Sequence, residues 1–133
     1  MRARAAARAA GLLLVLGAPA AGEAVEAGPA AALPGQALYA EHCALCHGVE
    51  GGGDGPAGLP LVPMPRDFRV GRFKFDADGD GRTGTDRDLF LVIRDGAGAV
   101  GGNPVMAPWG QLGELRIHEL VAYVRSLERH QAP

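Results

Sequence analysis

Cys43-Ala44-Leu45-Cys46-His47 holds both cysteines of this 133-residue chain, and the reading of that stretch decides the fold. Four chemistries compete for a Cys-x-x-Cys pair. A Cys43–Cys46 disulfide is the plainest. So short a loop removes almost no freedom from the unfolded chain, which makes it a poor staple. A thioredoxin-like thiol pair wants strands around a βαβ unit, and no convincing strand run borders the motif. A structural zinc wants four ligands. Cys43, Cys46 and His47 supply three, too close together to wrap one tetrahedron. The fifth residue favours the remaining option, because histidine directly after the second cysteine is the attachment pattern of a c-type haem.

The spacing has a mechanical reason. Residues three apart on a helical turn put both sulfurs on one side, where they can add to the two vinyl groups of one porphyrin edge. The next residue then brings its imidazole beneath the ring centre. His47 is thus the expected fifth ligand. Its second ring nitrogen should donate to a backbone carbonyl, which fixes tautomer and orientation. Gly58-Leu59-Pro60 is the candidate source of that carbonyl.

The sixth position falls to a methionine. Met106 lies in Gly101-Gly102-Asn103-Pro104-Val105-Met106-Ala107-Pro108-Trp109, where two Gly and two Pro make an irregular, stiffened loop. Such a loop can hold a thioether against iron. Met64, in Pro63-Met64-Pro65, follows Cys46 by only 18 residues and is expected to stay at the haem edge. A methionine in a small domain is otherwise core filler. His42 adjoins Cys43 and cannot reach the opposite face. His118, on a helix, and His130, in the tail, read as surface residues. Arg66 and Trp109 are candidates for contact with haem propionates.

Outward from the motif, Gln36 to Cys46 reads as one short helix with Leu38 and Tyr39 inward. Gly48 to Gly58 is glycine-rich loop. A helical turn within Arg66 to Lys74 would point Phe68 inward. Thr85 and Asp88 form a capping pair at the start of a helix that carries Leu89, Phe90, Val92 and Ile93 and stops at Gly96. The last helix is expected over Gln111 to Arg129. Ile117, Leu120, Val121, Val124 and Leu127 recur at helical spacing, with Arg116, Glu119 and Arg125 outside. Asp76-Ala77-Asp78-Gly79-Asp80-Gly81 matches half of an EF-hand loop. The position that should carry a bidentate Glu holds Arg87, so the segment reads as an acidic surface loop and Ca²⁺ as a disfavoured ligand.

The N-terminus has its own pattern. Arg2, Arg4 and Arg8 precede an apolar run from Ala9 to Gly17, and small residues follow at Ala18, Ala20 and Ala21. That order reads as a secretory signal peptide over 1–20. An uncleaved anchor competes, but a span needs ~20 apolar residues and Pro19 breaks this run. Residues 21–33 read as a flexible leader, and 34–130 as one domain. Without residues 1–20 the formal charge falls from −2 to −5. Lys74 is the sole lysine. So acidic a chain, with no basic stripe, is a poor nucleic-acid partner.

These residues resemble the class I monohaem cytochrome c family over about residues 35 to 128. The likeness rests on Gly35 and Tyr39, Cys43-x-x-Cys46-His47-Gly48, Gly53-Asp54-Gly55-Pro56 and Pro65-Arg66-Asp67-Phe68. It continues through Thr85-Asp86-x-Asp88-Leu89, Met106-Ala107-Pro108-Trp109 and Tyr123-Val124-Arg125-Ser126-Leu127. The usual family pattern is Met-Pro before the aromatic; here Ala107 intervenes. The resemblance implies an all-α fold of three to five helices wrapped around one covalent haem, with Gly35 packed against Tyr123. It implies an electron-transfer role with Met106 as the distal ligand opposite His47, and the signal-peptide pattern makes the expected carrier periplasmic. Two alternatives stand beside it: a cytochrome subunit of a periplasmic dehydrogenase or reductase complex, and a haem enzyme or gas sensor with an open sixth position. Redox proteins are the implied partners, with no membrane span after signal cleavage.

Overall fold

Ile117, Leu120, Val121 and Val124 are all buried on one face of the last helix, and the rest of the fold packs on that stripe. The computed structural model describes residues 33–128. The signal-peptide segment, the leader before Leu33, and His130 lie outside the described residues. Within them are α1 (Gln36–His42), α2 (Ala44–His47), α3 (Asp86–Asp95) and α4 (Glu114–Ser126). Single 3-10 turns occur at Phe68–Val70, Ala97–Val100 and Gly110–Leu112. There is no strand among the described residues, in keeping with the all-α expectation.

α1 meets α4 at Gly35, which has φ +88 and so suits glycine. A Cβ there would collide with the Glu119 carbonyl and stand 3.0 Å from the Leu120 nitrogen. The atoms that such a Cβ would meet first are backbone atoms of α4. Tyr123 meets the ring of Tyr39, one turn along α1, with centroids 5.1 Å apart. The buried Tyr39 hydroxyl donates to the Gly48 carbonyl at 2.7 Å. This bond pins the end of α2 to α1. The expected single helix from Gln36 to Cys46 is broken at Cys43, where φ is −118 and ψ −37.

α3 starts on the expected capping box. Thr85 Oγ1 accepts from the Asp88 amide at 3.1 Å, and Asp88 accepts from the Thr85 amide at 2.8 Å. Leu89, Phe90 and Ile93 then join Tyr39, Phe68 and the α4 stripe in one core cluster. Each such side chain contributes roughly 1.5–3 kcal/mol by leaving water. Arg125 ties α4 to the start of α3, donating to Asp86 at 2.7 Å and to the Gly84 carbonyl at 2.5 Å. It is half-buried, not simply on the outer face. α4 begins later than expected, because Gly113 (φ +85) separates it from the turn at Gly110–Leu112.

Candidate functional site

Cys43 stands at the joint between α1 and α2. The His47 amide donates to its carbonyl at 2.9 Å, which closes the turn that carries Cys46 and His47. His47 is 9% exposed. Its Nδ1 lies 3.2 Å from the Arg66 carbonyl. A carbonyl only accepts, so Nδ1 carries the proton and Nε2 keeps its lone pair. The imidazole stacks on Phe68 with centroids 4.4 Å apart and planes 17° from parallel. Burial lowers the His47 pKa and the Arg66 bond works against that. Burial prevails, which favours the neutral ring that metal ligation requires.

Arg66, not Gly58-Leu59-Pro60, thus supplies the carbonyl. The physical reason lies in residues 55–61, which are engaged elsewhere. The Gly55 amide bonds the Cys46 carbonyl at 3.2 Å, the Ala57 amide bonds the Leu45 carbonyl at 3.1 Å, and Gly58 lies against the Cys46 carbonyl. That segment covers the backbone of α2, and the chain reaches the imidazole only after Pro65. Pro65 packs its ring near Gly58, 2.6 Å from where a Cβ would be.

The opposite wall comes from the end of α3 and the loop after it. The Ala97 amide donates to the Met106 carbonyl at 3.2 Å, and the Trp109 amide donates to the Ile93 carbonyl at 2.9 Å. Met106 is therefore stitched on both sides to the C-terminus of α3. Gly96 allows the approach, since a Cβ there would lie 2.9 Å from the Met106 carbonyl oxygen. The Trp109 ring meets that of His42 in a tilted contact, with centroids 4.7 Å apart. This contact joins the methionine loop to α1 beside Cys43. His42 is half-buried beside the Trp109 ring. His118 is exposed, with its ring 4.6 Å from Phe90.

Between the two walls lies a cavity of about 440 Å³ lined by Cys43, Cys46, His47 and Met106. Its size falls within the roughly 300–1,000 Å³ of small-molecule and cofactor sites. Phe68, Phe73, Leu89, Val92 and Ile93 give it an apolar surface. Met64 also lines it but is 53% exposed, at the rim as expected. The donor set fits haem: two thiols, an imidazole with its tautomer fixed, and a thioether face one apolar space. It does not suit thiol redox chemistry. Burial, aided by Cys46, pushes the Cys43 thiol up to about 11, the reverse of a reactive thiolate.

Asp76, Asp78 and Asp80 are exposed, and each offers an oxygen within 4.8 Å of the others. Asp88 does not join them. It is turned inward, accepting from the amides of Ala77 and Asp78, and Arg87 stands where a bidentate Glu would be needed.

Comparison with known proteins agrees with the geometry. The family described as "Cytochrome C oxidase, cbb3-type, subunit III" matches residues 30–124. Among solved structures, a chain of the Kuenenia stuttgartiensis reducing HAO-like protein complex is similar, with 33% identity and a TM-score of 0.59. The similarity covers 77% of this chain and 46% of that one, so this chain spans about half the length of its relative. No curated protein matches. No helix among the described residues is long and apolar enough to cross a membrane. A match over most of the chain, on a helical fold whose cavity gathers the Cys-x-x-Cys-His motif, shows that the chain belongs to the cytochrome c family, as a class I monohaem cytochrome that carries haem c covalently.

Proposed function

We propose that Cys43 and Cys46 hold the haem through thioether bonds, that His47 and Met106 are the iron ligands, and that the protein works in the periplasm as a one-electron carrier. The observation that carries this reading is the convergence of all four side chains on one apolar cavity. The bound haem supplies one-electron exchange between Fe(II) and Fe(III). The chain's part is to hold both ligands rigidly, so that little rearranges on transfer. Nδ1 of His47 is held by the Arg66 carbonyl. Met106 is held by the Ala97 amide. The apolar walls keep water away from the iron. Export is supported by the basic, apolar and small-residue order of residues 1–21, and by the setting in which thioether attachment and exposed redox chemistry belong.

A second reading has an observation of its own. The similar solved chain comes from a protein complex, and the similarity covers 46% of it. The protein then acts as an electron-transfer subunit with an obligate partner, and co-purification separates that role from a free carrier.

The first test is the visible spectrum of protein purified from a host with haem-maturation machinery. Sharp reduced bands that survive denaturation are expected, with a weak long-wavelength ferric band that disappears in Met106→Ala. CO binding to the reduced wild type would overturn Met106 as ligand and favour a haem enzyme or gas sensor. Haem lost on denaturation would overturn attachment at Cys43 and Cys46.

A further inference from the structure

The two carboxylates of a haem project from the side of the porphyrin away from its two vinyl groups. Cys43 and Cys46 set the vinyl side, as proposed above. Two contacts join the walls of the cavity. One is the tilted contact of the Trp109 ring with that of His42, beside Cys43. The other is the contact of Phe75 with Gly102, where a Cβ would stand 2.8 Å from the Phe75 ring.

The second crossing is built by the strip Phe73-Lys74-Phe75. Phe73 lies 5.9 Å from Phe68, the ring that stacks on His47. Two residues on, Phe75 meets Gly102, whose amide bonds the Ala97 carbonyl at 2.8 Å next to the Met106 clamp. The strip runs from the His47 side to the Met106 side, with Lys74 in the crossing. The same contact brings Asn103 to that end of the cavity, and both Lys74 and Asn103 line it.

Both carboxylates that line the cavity are taken up by other groups. Asp67 is bound by Arg69 at 2.8 Å. Asp88 is taken up by Thr85 and the amides of Ala77 and Asp78. Arg66 gives its backbone carbonyl to His47, and its side chain is exposed. The Lys74 ammonium stands 4.9 Å over the Phe75 ring. Asn103 Oδ1 accepts from the Val105 amide at 3.0 Å, which leaves its NH₂ to donate.

We propose that Lys74 and Asn103 form the carboxylate subsite that holds a haem propionate, and that the Lys74 charge tunes the iron. The proposal rests on the attachment reading above. A cation at the propionate offsets negative charge near the iron and so disfavours Fe(III), which carries one more positive charge than Fe(II). Removing it should tip the iron toward the ferric state.

The test uses the mature haem protein as wild type, Lys74→Gln, Lys74→Arg and Arg116→Gln. Arg116 is exposed on α4 and supplies a matched loss of one charge away from the cavity. The ferric-to-ferrous ratio is read at one fixed applied potential. Infrared redox-difference spectra of haem labelled at its carboxylates are recorded alongside. The expected result is a several-fold rise in the ratio for Lys74→Gln, a shifted carboxylate band, and recovery of both in Lys74→Arg. Arg116→Gln should move neither comparably. A wild type without covalent haem overturns the attachment reading and this proposal with it. A haem-loaded wild type in which Lys74→Gln moves the ratio no further than Arg116→Gln, or leaves the carboxylate band in place, overturns this proposal alone.

Discussion

Asp88 shows how much one side chain can organise. It is 1% exposed and takes hydrogen bonds from the Ala77 amide at 2.6 Å and from the Thr85 amide and hydroxyl at 2.8 Å each. Burial works to raise its pKa, but the bonds from Thr85, Ala77 and Asp78 outweigh it and hold the carboxyl below its ordinary value. A carboxyl held low in the folded state contributes stability that is present above the unfolded pKa of about 3.9. That contribution is lost as pH falls through the folded value. Asp88→Asn is expected to cost about 2–4 kcal/mol at neutral pH. It should also flatten the fall in Tm below about pH 4. Thermal melts across that range check both, and an acid limb as steep as the wild type's would contradict the assignment. Half of this role was legible in the sequence, because Thr85 and Asp88 stand at capping distance. The other half was not, since nothing local links Asp88 to amides ten residues upstream. The His47 partner was missed for the same reason. Its need for a carbonyl follows from chemistry, while the choice of Arg66 depends on how residues 55–65 wrap α2.

At the scale of elements, the end of α3 and the methionine loop behave as one unit. Gly96 has φ +81 and passes close to the Met106 carbonyl and the Pro108 nitrogen. Gly96→Ala is expected to cost about 1–3 kcal/mol through strain and contact. It should also weaken or remove the long-wavelength ferric band while leaving the haem attached. Unchanged absorption in a folded Gly96→Ala protein would mean that the clamp does not set the methionine. Gly35→Ala tests the other crossing. A Cβ there meets rigid α4 backbone, so about 3 kcal/mol or more should be lost, with Tm as the readout and the ferric band kept in whatever protein matures. The helix stripes were plain in the sequence because periodicity reports burial directly. The break at Cys43 and the late start of α4 were not. Both ends are decided by backbone turns, at Cys43 and at Gly113, which leave the apolar spacing untouched.

For the whole molecule, the cavity outweighs any single contact. Without the haem, Phe68, Phe73, Leu89, Val92 and Ile93 face an unfilled space and lose the apolar partner that would keep water from them. The exported Cys43→Ala/Cys46→Ala chain is therefore expected to show no cooperative thermal transition by circular dichroism. A sharp melt close to that of the haem-loaded protein would contradict this. The two walls of that cavity also differ in the order in which the chain delivers them. Residues 43–47, with Arg66 and Phe68 behind the imidazole, come from the earlier part. Met106 and the α3 clamp come later. A chain threading through a membrane N-terminus first would present its attachment motif while the methionine loop was still on the other side. The covalent step then has an unobstructed face to work on, and the fold closes over a cofactor that is already in place.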